Sequence, residues 1–339
     1  MNKRWIRAMA AGLCLIALAL TLAGCGVAGG AADGAPDHSV SPKKDDTQAG
    51  DQPALPDKLE KNDQGVPVLR VYDVDAEENR EMSIESYVQG VLAGEMKNDW
   101  PLEALKAQAI LARTFVLKFC SEKESRYRGA DISTDIQEAQ AYDSTGINDR
   151  IEQAVKETRG MVLSYRGELP YAWFHAHSGG ATERAVEGLH YDQEEPGYTK
   201  VTQGRESDKA PEDARQWAAR FTPAEVIRAA AQAGASGIKE ITSIQIGQTG
   251  ESGRAVTVEI NGQPVSAPEL RLALGSTRMR STLLTELRLE DGAVVMKGKG
   301  YGHGVGMPQW GAYGMAEEGR TAEEIVRYYF NGVTVETLW

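Results

Sequence analysis

As a string of apolar and polar positions, the chain changes character near residue 66. The apolar run from Ala8 to Leu20 is followed by residues 26–65, which hold almost no large apolar side chain; beyond them apolar residues recur with the periods of packed elements. Ile84, Tyr87, Val88, Val91 and Leu92 fall on one helical face, and Ser83 stands where a hydroxyl would cap the first turn, so a helix is expected from Ser83 to about Met96. Pro101 opens a second helix with a stripe at Leu102, Leu105, Ala109, Ala112, Val116 and Phe119. A helix is expected over Ile151 to Thr158, and two capping boxes, Thr222-Pro-Ala-Glu225 and Thr321-Ala-Glu-Glu324, start two more.

Strands are expected at Val68–Tyr72, Met161–Tyr165, Tyr171–His175, Ile241–Ile246, Ala255–Ile260, Leu284–Leu289 and Ala293–Met296. Helices and strands alternate irregularly and without repeats, which predicts an α+β fold, a single globular domain with mostly antiparallel strands over residues 66–339. Residues 26–65, rich in Gly, Ala, Asp, Lys, Pro and Gln, cannot bury enough surface to fold and read as a tether. As a flexible coil it would span roughly 35 Å.

The first 25 residues add an address. Lys3, Arg4 and Arg7 precede the apolar run, which is shorter than a spanning helix needs, and Leu22-Ala-Gly-Cys25 has the lipobox pattern in which the cysteine thiol is acylated. A short retained anchor is the alternative. Either reading places the rest of the chain on the extracytoplasmic face of the cell membrane. Cys120 is the one cysteine beyond Cys25, which excludes an intramolecular disulfide and a cysteine-based zinc cluster. The formal charge is −12, and the leading segment contributes three cations and no acid, so the remainder carries −15. Such a chain is not drawn to nucleic acid or anionic lipid by its field.

Four stretches carry chemistry. Glu95 continues the apolar stripe of its helix, at i+4 from Val91, where a carboxylate is costly unless neutralised or paired and where burial raises its pKa toward that of a general acid. The bland alternative is a helix-end Glu turned to solvent. On the next helix Lys106, Ile110, Arg113 and Leu117 lie on one line; the two cations need partners, Glu95 or a substrate group among them, or else snorkel at the core edge. Phe174-His-Ala-His-Ser-Gly-Gly-Ala-Thr-Glu183 gathers Ser178 and Thr182 on a small-residue turn suited to sugar hydroxyls. His175 and His177 there have a spacing that can hold a metal, but no third ligand is evident, so neither metal nor cofactor is expected. In Gly298-Lys-Gly-Tyr-Gly-His-Gly-Val-Gly306, glycine alternates with side chains as in an extended segment with one bare face. Trp310 and Tyr313, just beyond, are candidates for stacking on sugar rings or for core.

Together Val88-Gln-Gly-Val-Leu-Ala-Gly-Glu-Met, Leu102-Glu-Ala-Leu-Lys-Ala-Gln-Ala-Ile-Leu-Ala-Arg-Thr, the His-Ser-Gly-Gly turn and Gly302-His-Gly-Val-Gly-Met-Pro-Gln-Trp-Gly-Ala-Tyr resemble, in order, the stage II sporulation protein D family. The resemblance implies a peptidoglycan lytic transglycosylase that cleaves peptide-stripped glycan during engulfment, with stage II sporulation proteins P and M as partners. It implies Glu95 as catalytic glutamate, Lys106 and Arg113 as functional cations, and the turn Ser178, Gly179 and Gly180 as part of the site. Thr182, Tyr142, His303 and Gln309 join the turn as candidate sugar contacts. Some members bind zinc through Cys and His near the stretch that here reads Ser133 to Tyr142, which has neither, so zinc is not carried over. The family protein is usually pictured with an uncleaved anchor, which the lipobox puts in doubt. Rival readings are a non-catalytic wall-binding amidase enhancer, a solute-binding lipoprotein and a metal-dependent hydrolase.

Overall fold

The computed structural model describes residues 52–339. The expectations for the signal segment, for Cys25 and for most of the tether lie outside them. The last part of the expected tether is docked rather than free: Leu59 is buried, Leu55 packs on the core, and Val68 N–H donates to Glu60 O (2.8 Å). Two spaced leucines suffice to hold it, a signal too sparse for periodicity to register.

In chain order, β1 (Val68–Asp73) and β2 (Glu78–Ser83) form a hairpin, and α1 (Ile84–Glu95) starts at once from the Ser83 cap, whose hydroxyl accepts from Ser86 N–H. Then follow α2 (Leu102–Glu122), β3 (Ile132–Ser133) parallel to β1, α3 (Asp149–Glu157), β4 (Met161–Ser164) and β5 (Phe174–His175). After α4 (Ala185–Leu189) and α5 (Glu212–Arg215), a second group comprises β6 (Gln216–Phe221), α6 (Pro223–Gln232), β7 (Ile244–Ile246), β8 (Thr257–Ile260), β9 (Gln263–Ser266), α7 (Ala267–Leu274), β10 (Leu284–Glu290) and β11 (Ala293–Lys299). The chain returns to the first group through β12 (Met307–Pro308), α8 (Gln309–Glu317), α9 (Ala322–Tyr329) and β13 (Thr334–Thr337).

The fold is α+β, as expected. Its small sheets are mainly antiparallel, in the orders β2-β1-β3, β10-β11-β6, β7-β8-β9, β13-β4 and β12-β5, with β1/β3 and β12/β5 parallel. Both capping boxes are present, Thr222 with Glu225 and Thr321 with Glu324. The strands β2, β9 and β13 carry too few apolar residues to be read from sequence; β6, with Trp217, Ala219 and Phe221 alternating, and α7, with Ala267, Leu270 and Leu274 on one face, were not expected although their patterns are regular; and most of Tyr171–His175 lies outside the ladder.

Two apolar clusters build the interior. One is centred on α1, α2, α8 and α9; the other fills the space between α6, α7 and the sheets of the second group. The helix α2 is the axle of the first, with Leu105, Ile110, Leu111, Val116 and Leu117 all fully buried. Cys120 is buried in it as packing, and burial pushes its thiol up to about 12.

Arg113 lies inside this core, fully buried. Its Nη2 and Nε donate to Glu85 Oε2 (2.6 Å) and Oε1 (3.2 Å), and its Nη1 to Met161 O (3.0 Å) and Ala109 O (3.3 Å). Glu85 also accepts from Gly160 N–H (3.1 Å) and Trp339 Nε1–H (3.0 Å). One ion pair thereby ties α1, α2, the start of β4 and the C-terminal residue. Arg113→Met leaves the Glu85 carboxylate enclosed without its cation and is expected to cost about 3–5 kcal/mol in chemical denaturation. The double change Arg113→Met with Glu85→Gln should recover a large part of that loss.

Candidate active site

Glu95 is the last residue of α1, and the helix face leading to it is made of glycine. A Cβ at Gly94 would fall 2.6 Å from the Ala141 carbonyl carbon, and one at Gly90 would collide with the Tyr142 ring. Bare backbone there lets the segment 139–143 lie directly on the helix, where Asp143 N–H donates to Gly90 O (2.9 Å). That close approach brings the Ala141 N–H to 2.7 Å from Glu95 Oε1. From the opposite side Gln309 Nε2 donates to Oε2 at 3.4 Å. Gln309 opens α8 and is placed by the pairing of Pro308 with His175 and by Trp310 N–H on Ala176 O (3.0 Å).

Glu95 is 6% exposed. Burial raises its pKa and the two neutral donors lower it, with a net value of about 8. The acid form therefore predominates at neutral pH. Gly94, Ala141 and Tyr142 line a cleft of about 560 Å³ that also carries Asp73, Asp75, Arg80, Thr134, Asp135 and Asp143. Glu95 lies one residue behind that lining.

The other expected site residues are distributed differently. Lys106 pairs with Glu103 (2.7 Å) and Glu157 (3.2 Å), and Arg113 with Glu85, so neither cation is the partner of Glu95. Lys106 finds its nearer carboxylate three residues back on its own helix, whereas Glu157 and Glu85 come from neighbouring helices, which a single-helix projection does not display. Ser178 is buried, its N–H (2.7 Å) and hydroxyl both donating to Glu206 Oε1. Thr182 is buried with its hydroxyl on Lys200 O (2.9 Å). Their hydroxyls are spent on the fold, whereas Gly180 is exposed and Gly179 partly so. Tyr142 is half-buried at the cleft.

His303 is a framework residue. Its Nε2 donates to Phe174 O (2.9 Å) and its Nδ1 accepts from Val305 N–H (3.0 Å), and burial pushes its pKa down to about 3, fixing a neutral ring. The run Gly298–Gly306 is extended only at Gly298 and Lys299, the end of β11; beyond it Gly300, Gly302, Gly304 and Gly306 take φ of +79°, +119°, +89° and +70°. Alternate glycines serve a looped backbone that L-residues adopt only with strain. Trp310 and Tyr313 cluster with Trp100, with ring centroids 4.5–5.2 Å apart, and Trp310 is buried as core. Among the described residues no group of three or more His, Cys, Asp or Glu is placed to hold a metal.

Sequence reasoning missed two charged residues that hold the turn at Ser178. Glu206 holds the Ser178 turn, and Arg254, fully buried, donates to Ser178 O and has its pKa pushed down to about 10 by burial. Glu206 sits among Arg205, Asp208 and Lys209 in a polar loop and Arg254 follows Glu251-Ser-Gly, with no periodic context to mark either.

The profile of the family described as "Stage II sporulation protein" matches residues 72–165, the segment holding Glu95 and the strand and turn that cover it. A domain of unknown function matches residues 185–306. Stage II sporulation protein D of Bacillus amyloliquefaciens is 31% identical over 296 residues, covering 82% of this chain and 80% of that protein. The chain belongs to the stage II sporulation protein D family. An uncharacterized protein of Brachyspira hyodysenteriae is 32% identical over 258 residues, 75% of this chain and 67% of the relative. A protein named amidase enhancer, from Bacillus subtilis, is 28% identical over 291 residues, 73% of this chain and 40% of its own length.

The raised Glu95 pKa has a consequence for stability. The unfolded carboxyl ionises near 4.5 and the folded one near 8, so between these values the native state holds the extra proton and loses stability as pH rises. The slope is about 1.4 kcal/mol per pH unit within that window. Glu95→Gln keeps the hydrogen-bonding shape of the acid form and carries no such penalty. Its Tm relative to the parent chain should climb steadily from pH 5 to pH 8 in thermal unfolding.

Proposed function

We propose that this protein is a peptidoglycan lytic transglycosylase that cleaves wall glycan, as part of the wall remodelling of sporulation that the names of its relatives suggest. The observation that carries this reading is the Glu95 carboxyl: enclosed, held by two neutral donors, pushed up to about 8, and set behind a cleft. A protonated carboxyl at neutral pH is what bond cleavage by general acid catalysis requires.

In this mechanism Glu95 gives its proton to the glycosidic oxygen between N-acetylmuramic acid and N-acetylglucosamine. The C1–O bond breaks as an oxocarbenium-like state develops. The muramic 6-hydroxyl then attacks C1 and passes its proton to the carboxylate, which restores the acid. The products are a shortened strand and a 1,6-anhydro end, and no water is consumed. Because the nucleophile is intramolecular, one carboxylate serves, whereas hydrolytic glycosidases use two.

Gln309 suits such a cycle. Its amide can present Nε2–H to the ionised carboxylate, the orientation in the structure, or its carbonyl oxygen to the protonated form after a flip. Lys106 and Arg113 act through the scaffold in this scheme. An attachment through Cys25 on the outer membrane face, and joint action with the sporulation proteins P and M, complete the proposal.

The similarity to an amidase enhancer supports a second reading, in which the chain binds wall without cutting. Product analysis separates the two. Glycan strands from amidase-treated sacculi should yield 1,6-anhydro ends with the parent chain, detected by mass spectrometry, and at least about 100-fold fewer with Glu95→Gln, the loss expected of a general acid. Equal yields from the two chains would remove Glu95 from the mechanism, and no anhydro ends from either would favour the enhancer. Rate against pH should fall on the alkaline side as the acid titrates near 8. Gln309→Leu should move that limb upward, because it removes a donor that favours the ionised form.

A further inference from the structure

The carboxyl of Glu95 is flanked by Ala141 N–H on one side and the Gln309 amide on the other, and the cleft beside it is lined by Gly94, Ala141 and Tyr142 but not by Glu95 itself. A general acid has to come within hydrogen-bond reach, about 2.6–3.2 Å, of the oxygen it protonates. A polymer lying in the cleft meets the segment 139–143 first. The closed arrangement holds the acid but does not present it.

The covering segment is fastened at its two ends and lightly held between them. Before it, Glu138 accepts from the Ser125 hydroxyl (2.9 Å) and from Arg126 N–H (2.6 Å), and Ala139 N–H donates to Asp135 O (3.0 Å). After it, Asn98 Nδ2 donates to Gly146 O (3.0 Å). Between these points the bonds to α1 are Ala141 N–H to Glu95 Oε1 (2.7 Å) and Asp143 N–H to Gly90 O (2.9 Å). The Tyr142 ring rests on Tyr87, with centroids 5.6 Å apart. At Gly90 and Gly94 this face of α1 has no side chain to interlock with the segment, so the surface that permits close approach also permits separation.

One residue is costly in the closed position. Gln140 is 1% exposed, and neither its Oε1 nor its Nε2 has a hydrogen-bond partner among the described residues. A buried amide atom left unpaired disfavours the arrangement that buries it, and a segment lifted from the helix returns both atoms to water. Gln140 adjoins Ala141, so the residue that disfavours closure stands next to the one that bonds the acid.

We propose that residues 139–143 form a gate that swings off α1 between the anchors at Glu138 and Gly146, biased toward opening by the unpaired Gln140 amide. Closed, the gate bonds the acid and shields it from solvent; open, it joins the cleft to the carboxyl. The purpose of the gate rests on the proposed glycan cleavage; its motion does not, so the first readout is made without substrate.

Residue-resolved hydrogen exchange of the full-length chain follows the gate directly. The Ala141 and Asp143 amides should exchange together, at least about 100-fold faster than those of Ile110 and Leu111 in α2, which open only with the core. Gln140→Leu removes the unpaired amide and should slow both gate amides at least about fivefold. Gly94→Ala sets a methyl carbon 2.6 Å from the Ala141 carbonyl carbon and should do the reverse, with both amides at least about tenfold faster. With glycan from amidase-treated sacculi as substrate, Gln140→Leu should raise KM by the factor that its exchange slows, because only the open fraction binds. Gate amides that exchange only with Ile110 and Leu111, or that keep their rates in Gln140→Leu, would overturn the proposal. Slower exchange with an unchanged KM would show that glycan enters without the motion, and would overturn it too. Slower exchange in Gln140→Leu with no anhydro ends from any chain would sink the lytic reading and leave the gate standing.

Discussion

Placing a carboxyl group inside a helix junction is unfavourable unless the proton stays on or donors surround it, and at Glu95 both conditions operate. The Ala141 N–H fixes one oxygen and the Gln309 amide the other, while burial outweighs both and holds the group near 8. Much of the local architecture follows from this enclosure. Glycine at positions 90 and 94 is needed for the covering segment to approach, and the covering segment supplies the donor. The group that could transfer a proton is thereby pre-set by elements distant in sequence, since 214 residues separate Glu95 from Gln309.

The remainder of the first core keeps those elements still. The Arg113–Glu85 pair locks α1 to α2 and β4, and the neutral rings of His175 and His303 are bonded to the backbone of the glycine loop and of β5. From β5 the pairing with β12 sets the first residue of α8, which is Gln309. Polar residues that look like ligands in a linear reading are here used as internal struts. Each is held by bonds to the protein's own backbone or carboxylates, which leaves Glu95, among the described residues, as the buried acid with a raised pKa and a cleft beside it.

That distinction explains what the sequence could and could not convey. The stripe ending in Glu95 announced a buried carboxylate because helical periodicity is local, and the capping boxes were legible for the same reason. The Glu103–Lys106 pair, three residues apart on one helix, is equally local, but the pairings with Glu157 and Glu85 were not legible, because those carboxylates come from other helices and a charge on one helix does not declare which neighbour it meets. The alternating glycines were read as extended because a two-residue period is the signature of a strand; that holds at Gly298, inside β11, whereas the positive φ values from Gly300 on are a tertiary demand of what they pack against, the His177–Gly179 turn, His175, Arg254 and Trp173. The order of the motifs identified the family, yet Ser178, Thr182 and His303 proved to be internal, since a motif preserves fold and chemistry alike.

The central claim is that the fold itself holds the Glu95 proton at neutral pH. The most direct measurement is a carbon-13 NMR titration of the side-chain carboxyl, with Glu95→Gln used to assign the resonance. A midpoint near 8 is the predicted result. A midpoint near 4.5, the ordinary value for glutamate, would mean that the carboxyl is solvated in solution and would contradict the account.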